Sequence, residues 1–544
     1  MGQLVAIRRA LCCHRPCRYS PYAAGSDGNR EIDGASLLAF IAGAGVTTPP
    51  LKLLVFGVDG ASASVLNDLV GRGMLPNFAA LQQRSSTGTL LATFPPHTAP
   101  GWASMFTGVE PGEHGIYQFW STQPRDYTAH GVNVADFGRE PIWRTLERNG
   151  YRVGIYNVPM THPPAPLRDG YMISWPLGKT IRYTEPPELM GELVAADLHY
   201  HSDIVTMYRG QEDYLAQAKS FVEKRARTCL FLQESRPVDA MFVVFTEVDR
   251  VSHYYWGDKE EPSSEVEEIY CEIDRALATV LSLADDNTLI VVASDHGFGR
   301  CVADFNVHET LESHGLLKTV YLPTTDQSEI TNDYGTTSAW FEAPSLFRRG
   351  IDWSATRVYM PTPGCFGLNV NLAGRESRGI VEASELEGLE RELAAALATV
   401  VDDQGRPWFR LARREQVYAG ARLGDAPDYL LLPRDYSVMP TPALAGEIWT
   451  KPGQGGVHRP DGIIMVSGST FPNGGRLHAR IEDVYPTILA HLGLPVPESL
   501  DGHWLVEPIE DVQREAAVVN AGSVPMTSRD SSFMDAQLKE IGYF

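Results

Sequence analysis

The 544-residue chain carries a formal net charge of -22, with 43% hydrophobic and 21% charged residues. These proportions are those of soluble globular proteins and exclude a coiled coil, a collagen-like fibre and a disordered tail protein. The acid excess argues against a partner that is a nucleic-acid polymer, because such binding rests on Lys and Arg. Bound cations can still reverse the local field around a small phosphoester.

The first 50 residues show no sustained periodicity and end in Thr47-Thr48-Pro49-Pro50, so 1–50 reads as a poorly ordered extension. It has basic residues but no apolar run followed by a small-residue cleavage site, and a secretory signal is not expected. Gly2 invites a myristoylation reading, which fails because Ala6 stands where Ser or Thr is needed. The longest apolar stretch, Leu37 to Val46, falls well short of the roughly 20 residues that span a bilayer. Seven cysteines, three of them clustered as Cys12, Cys13 and Cys17, make no disulfide framework and suit a reducing, cytoplasmic compartment.

Regular structure is expected to begin at Leu51–Asp59, a continuous apolar run ending in an acid, which suits a strand buried on both faces of a parallel sheet. A helical pattern follows over Ala63–Val70, then a strand over Gly88–Phe94. The alternation recurs. Strand Tyr151–Pro159 follows a helix ending at Asn149-Gly150. Strand Ala240–Asp249 follows a helix over Glu212–Gln233, and strand Thr288–Asp295 follows one over Ser264–Ala284. Strand Gly462–Gly468 precedes a helix over Ile481–Leu492. This rhythm predicts an α/β fold with a mostly parallel sheet. Two stretches interrupt it: 160–210, rich in Pro, Tyr and His, and 300–455, with a helix over Ala383–Val400 among Pro/Gly loops. Insertions of that length are usually functional. They are expected to cap the carboxyl edge of the sheet, where α/β proteins place ligands. The expected organisation is the extension, one α/β domain over 51–510 with these two insertions, and a tail over 511–544.

Three predicted strands end in acids. Asp59 ends the first; Asp249 ends the fourth, with His253 four residues on; Asp295 ends the fifth and is followed at once by His296. Residues i and i+4 share a helix face, so Asp249 and His253 could grip one metal ion while Asp295-His296 splays around another. His458, in the Gly-rich loop Gly453–Gly462, is a further candidate. Each element alone is an ordinary cap, turn or loop; together they point to a metal site. N and O donors suit Zn²⁺, with Mn²⁺ or Fe as alternatives.

The segment Thr93–Phe119 passes from a strand through Pro-Pro-His-Thr into a helical stretch. Thr98 then sits near a helix N-terminus, where backbone N–H groups favour an anion. It is either a plain cap or a hydroxyl that metal coordination could turn into a nucleophile.

The segments LLVFGVDG, PPHTAPGWASMFTGVEPGEHGI, FTEVDRVSHYYWG, VVASDHGFG and GGVHRPDGIIMVSG, in this order, resemble the alkaline phosphatase superfamily. More narrowly, they resemble its type I phosphodiesterase/nucleotide pyrophosphatase group and its predicted phosphohydrolase/phosphomutase relatives. The resemblance runs from about Leu51 to about Trp504, and the closing DAQLKEIGYF also looks like the tail of such relatives. It implies an alkaline-phosphatase-like sheet sandwiched by helices, with cap insertions over the carboxyl edge. It also implies two zinc ions, one held by Asp59, Thr98, Asp295 and His296, the other by Asp249, His253 and His458. Thr98 matches the family's nucleophile. The implied activity is hydrolysis of a small phosphoester, a phosphodiester first, through a phospho-threonine intermediate. The alternatives are a phosphomonoesterase or phosphotransferase of the same fold and, from another class, a non-catalytic scaffold that binds partners through the cap.

Departures narrow the reading. The run Thr98-Ala99-Pro100-Gly101-Trp102 lacks the modifiable Cys or Ser and the Arg of sulfatases, and the Ser nucleophile of cofactor-independent phosphoglycerate mutases is absent. Where nucleotide pyrophosphatases place an Asn after the His-Gly-Ile run, Phe119 stands here by ungapped count, with Gln118 one residue off. His97, His114, His308, His314 and the aromatics Tyr254, Tyr255 and Trp256 read as structural. Arg459, beside a ligand candidate, is weighed as a phosphate contact and set low.

Overall fold

The computed structural model describes residues 50–123, 125–176, 182–198, 200, 212–323, 347–505 and 514–515. The N-terminal extension with Cys12, Cys13 and Cys17, and nearly all of the tail, lie outside the described residues.

The apolar run at the start of the domain forms the strand Leu53–Val58, and all six of its residues are buried. Alternate side chains serve two cores. Leu54, Phe56 and Val58 join the cluster that holds helices Tyr214–Ser235 and Ser264–Leu281, while Leu53 and Val55 join the cluster under helix Thr98–Thr107. A strand clad on both faces cannot alternate with polar residues, which is why it reads as an unbroken apolar run. Full burial of each such side chain contributes about 1.5–3 kcal/mol.

This strand lies in a nine-stranded sheet. The order across it is Arg476–Arg480, Ser86–Leu91, Asp461–Ser467, Leu289–Ala293, Leu53–Val58, Ala240–Phe245, Val153–Tyr156, Tyr171–Ile173 and Thr184–Glu185. Leu53–Val58 runs parallel to both neighbours, with Val58 opposite Phe245 and Gly57 opposite Ala293. The register therefore brings the carboxyl ends of all three strands to one level. The expected α/β class with a mostly parallel sheet is what the chain adopts.

Two strands run against the others: Thr184–Glu185 at one edge of the sheet and Asp461–Ser467 within it. Asp461–Ser467 runs antiparallel between Leu289–Ala293 and Ser86–Leu91. Its amino end, not its carboxyl end, therefore lies at the edge where Asp59 emerges. His458 precedes it in the short strand Gly456–Arg459, which pairs antiparallel with Gly297–Arg300. Nothing in the hydropathy of Gly462–Gly468 distinguishes the two directions.

Within 160–210, strands Tyr171–Ile173 and Thr184–Glu185 extend the edge of the main sheet. Within 300–455, Val358–Tyr359, Gly367–Val370, Tyr429–Pro433 and Phe409–Arg413 form an antiparallel sheet with its own core. The expected helix there is a 3₁₀ turn over Ala383–Glu385 running into an α-helix over Leu386–Leu397. This subdomain reaches the carboxyl edge: Tyr418 Oη donates to Phe94 O at 2.8 Å, and a Cβ on Gly364 would sit 3.5 Å from His97 Cδ2. Among the described residues, no helix is long and apolar enough to cross a membrane.

Gly57 shows how tightly the site-bearing layers approach. A Cβ there would lie 2.6 Å from Trp102 Cη2 and 2.8 Å from Val244 Cγ2, so the Trp102 ring rests directly on the central strand. Overpacking of this kind costs about 1–3 kcal/mol. Gly57→Ala is expected to lower the urea-unfolding free energy by about that amount; an unchanged midpoint would contradict this packing.

Candidate metal centre

Asp59 leaves the central strand with its backbone N–H on Phe245 O at 2.9 Å, and its own carbonyl accepts from Asp249 N at 3.1 Å. Trp102 Nε1 donates to Asp59 Oδ2 at 3.2 Å. Asp295 follows the strand Leu289–Ala293, and its Oδ1 accepts from Gly60 N at 3.2 Å. Asp249 does not end its strand, as the sequence suggested. That strand stops at Phe245, and Asp249 is the third residue of helix Glu247–Tyr255, with His253 one turn on. Helical spacing puts both side chains on one face.

Thr98 is the first residue of the helix Thr98–Thr107. The cap is His97, whose Nδ1 accepts from Ala99 N at 3.3 Å. The Thr98 hydroxyl is thereby left out of capping, and its Oγ1 lies 3.4 Å from His296 Nε2. The helix comes this close because residue 101 is glycine: a Cβ there would be 2.9 Å from Asp295 Cβ.

Three imidazoles are locked by backbone carbonyls. His253 Nδ1 lies 3.1 Å from Gly456 O, His296 Nδ1 3.0 Å from Gly297 O, and His458 Nδ1 3.0 Å from Pro96 O. A carbonyl only accepts, so Nδ1 is the protonated nitrogen of each singly protonated ring, whose Nε2 lone pair then turns inward. A carbonyl on the outer nitrogen is the usual way a metal-binding histidine is oriented.

These Nε2 atoms face carboxylate oxygens at close range. Asp249 Oδ1 lies 3.2 Å from His458 Nε2, 3.4 Å from His253 Nε2 and 3.8 Å from His296 Nε2. His296 Nε2 is also 3.4 Å from Asp295 Oδ2 and 3.6 Å from Asp59 Oδ1, while His253 and His458 are 3.0 Å apart, Nε2 to Nε2. Asp59 Oδ1, Asp249 Oδ1 and Asp295 Oδ2 are all buried without a hydrogen-bond partner. Lone pairs facing lone pairs at these distances repel unless a cation stands between them, and the donor set fits divalent ions. Among the described residues, two groups converge closely enough to hold an ion, Asp249/His296/His458 and Asp59/Asp295/His296, each with its donor atoms within 4.8 Å of one another. His296 stands between the two groups. His253 adjoins the first of them.

The electrostatics carry the same message. Burial, and then the charges of Asp295 and Asp249, pushes Asp59 well above the usual carboxylate range. Burial and the Asp249 charge do the same to Asp295. Burial alone would also raise Asp249, but without an ion the facing His253, when it takes up a second proton, and the adjacent Arg250 guanidinium outweigh it and hold Asp249 well below that range. Burial first, and the neighbouring His458 next, keeps His296 far below an ordinary imidazole.

The other sequence candidates fall into place as supports. His114 Nε2 lies 2.9 Å from Ser104 Oγ, and its Nδ1 accepts from Ile116 N at 3.0 Å. His308 Nε2 accepts from Met360 N at 3.0 Å, and His314 Nδ1 lies 2.9 Å from Thr310 O, so neither approaches the centre. Arg459 binds Arg300 O at 2.6 Å and also Tyr436 O, which ties the strand of His458 to the inserted subdomain. Trp256 is buried against Phe298, and Tyr254 packs on Tyr214. Phe119 lies edge-on to His97 at 4.9 Å and stacks on Trp175, while Gln118 bonds Thr362 of the inserted subdomain. Two contributors escaped the sequence reading: Trp102 on Asp59, and Arg250, whose Nη1 donates to Asp249 Oδ2 at 2.8 Å.

A family model described as Type I phosphodiesterase / nucleotide pyrophosphatase matches residues 53–455. No curated protein matches the sequence. Among solved structures, the chain is similar to phosphonoacetate hydrolase from Sinorhizobium meliloti 1021, solved with phosphonoformate. The TM-score is 0.52 and the identity 15%, over 81% of this chain and 95% of that one. It is also similar to murine ectonucleotide pyrophosphatase/phosphodiesterase 5, with a TM-score of 0.48 and 14% identity over 83% and 96% of the two chains. At such identities the likeness to the hydrolase is one of fold.

A cation entering this cluster must displace protons from Asp59 and Asp295, whose raised affinity for protons belongs to the metal-free state. Divalent-ion affinity should therefore go on rising with pH above the ordinary carboxylate range, with net proton release. Titration calorimetry in buffers of different ionisation enthalpy measures both. A pH-independent affinity without proton release would contradict the assignment.

Proposed function

The chain belongs to the type I phosphodiesterase/nucleotide pyrophosphatase family, and we propose that it is a two-metal phosphodiesterase acting on a small phosphoester with Thr98 as nucleophile. Phosphoester hydrolysis of this type is the family's activity. The finer reading is supported chiefly by one observation: three orphaned carboxylate oxygens and three inward-facing Nε2 atoms gathered beside a hydroxyl that begins a helix.

In this reading Asp59, Thr98, Asp295 and His296 hold one ion, and Asp249, His253 and His458 hold the other. His296 also lies within reach of Asp249. Zn²⁺ suits the mixed imidazole and carboxylate donors, with Mn²⁺ or Fe as alternatives. When bound, the ions would neutralise developing negative charge, favour loss of the proton from a coordinated hydroxyl, and bring a coordinated water toward a pKa of about 7.

The chain's own residues do the rest. Thr98 Oγ1 gives up its proton and forms a bond to phosphorus as the opposite P–O ester bond breaks; the alcohol leaves with a proton, and phospho-threonine results. Water then attacks phosphorus, the Oγ1–P bond breaks, one proton of that water returns to Thr98 and its oxygen stays on the phosphate. The positive end of the helix Thr98–Thr107 faces the negative phosphoryl oxygens. His97, held neutral by burial, and Phe119 form a dry wall beside the nucleophile. A low dielectric there strengthens every charge interaction. The subdomain over 300–455, which touches this wall at Gly364, is placed to select the ester substituent.

Thr98→Ala is expected to lower turnover of bis-p-nitrophenyl phosphate by at least about 10³-fold while zinc content and fold persist. The parent chain should turn this diester over faster than p-nitrophenyl phosphate. Near-parental turnover by Thr98→Ala would rule out the nucleophile, and faster hydrolysis of the monoester would replace the phosphodiesterase reading with a phosphomonoesterase.

A further inference from the structure

Resting on the two-metal reading above, we infer that Arg250 is a positioning residue for the metal pair: it occupies one oxygen of Asp249 so that the other alone is offered to the ions. The two oxygens of Asp249 have different surroundings. Oδ2 accepts from Arg250 Nη1 at 2.8 Å. Oδ1 has no hydrogen-bond partner and lies 3.2, 3.4 and 3.8 Å from the Nε2 atoms of His458, His253 and His296.

A carboxylate with both oxygens available can swing to grip one ion in a bidentate fashion. With Oδ2 committed to a guanidinium, the carboxylate plane is fixed and coordination is through Oδ1. Guanidinium suits the task because it is planar and cannot lose its proton. Its burial makes the arrangement stiff: Arg250 is 4% exposed and Asp249 0%.

The helix that carries both residues is held independently of any ion. Arg225 Nη1 donates to both oxygens of Glu247 at 2.6 and 2.5 Å, at the first residue of the helix Glu247–Tyr255. Tyr214 Oη donates to Arg250 O at 3.3 Å. The backbone beneath Asp249 is thus anchored, and the remaining freedom is the carboxylate's own rotation, which Arg250 removes.

The test uses the whole chain. Zinc Kd values for both ions are measured by chelator competition. The visible spectrum of the Co²⁺-substituted protein reports coordination number, and circular dichroism reports fold. Arg250→Met is expected to raise the Kd of one ion about 10–100-fold and leave the other in place. Its Co²⁺ bands should weaken as Asp249 turns bidentate and the coordination number rises. A folded Arg250→Met protein with both parental Kd values and an unaltered Co²⁺ spectrum would overturn the inference, whatever its melting temperature. If Arg250→Met fails to fold, Arg250→Lys decides: it keeps the charge but loses the planar fork, and is expected to loosen one ion severalfold. Parental affinity for both ions in Arg250→Lys would then overturn it. A parental chain that binds no zinc would refute the proposed function itself. Two tightly bound ions in the parent, with no response in the variants, would refute the role of Arg250 alone.

Discussion

Three buried carboxylates, Asp59, Asp249 and Asp295, are pressed into one small volume, and their mutual repulsion is what the rest of the molecule must answer. Burying a single unpaired charge is already expensive, and doing so three times at one point is not a stable end state without compensation. The protein supplies part of the answer itself. Arg250 and Trp102 each take one oxygen, and Gly60 N takes another. The other three oxygens face imidazole nitrogens whose lone pairs point at them. Divalent cations would complete this arrangement as proposed, and the two raised carboxylates mark how incomplete it is without them.

The fold delivers these groups by register rather than by loops. Two parallel neighbours aligned on the central strand bring Asp59, Asp249 and Asp295 to one edge. The antiparallel strand Asp461–Ser467 reverses the chain so that His458 arrives at the same edge from the opposite direction. Glycine at 57 and at 101 allows Trp102 and the helix of Thr98 to close on that edge from one face. The geometry of the candidate site follows from sheet packing, so a change in a strand far from solvent should be felt there.

Much of this was legible in the sequence, for a physical reason. Strands covered on both faces advertise themselves as apolar runs, and the acid that ends such a run is the first residue free to leave the sheet. Asp59 and Asp295 were therefore readable from position alone, and the i, i+4 spacing of Asp249 and His253 survived a misplaced boundary because the helix starts only two residues past the strand end. What hydropathy cannot encode is strand direction, so pattern marked His458 only as a histidine in a Gly-rich loop before a strand, and its grouping with Asp249 and His253 came from the family resemblance. Nor can a local reading tell a buried arginine from a solvated one; Arg250 looks like any charge beside an acid. The inserted subdomain was equally opaque, since its short strands pair with segments far along the chain, as Ala303 does with Val438 and Asp304 with Thr450.

The account stands or falls on cations at this cluster. Plasma-emission analysis of the purified chain, loaded with zinc and freed of loosely bound metal, measures them directly. Two tightly held ions per chain are predicted. A chain that retains none would contradict the account, however well its fold matches that of the family.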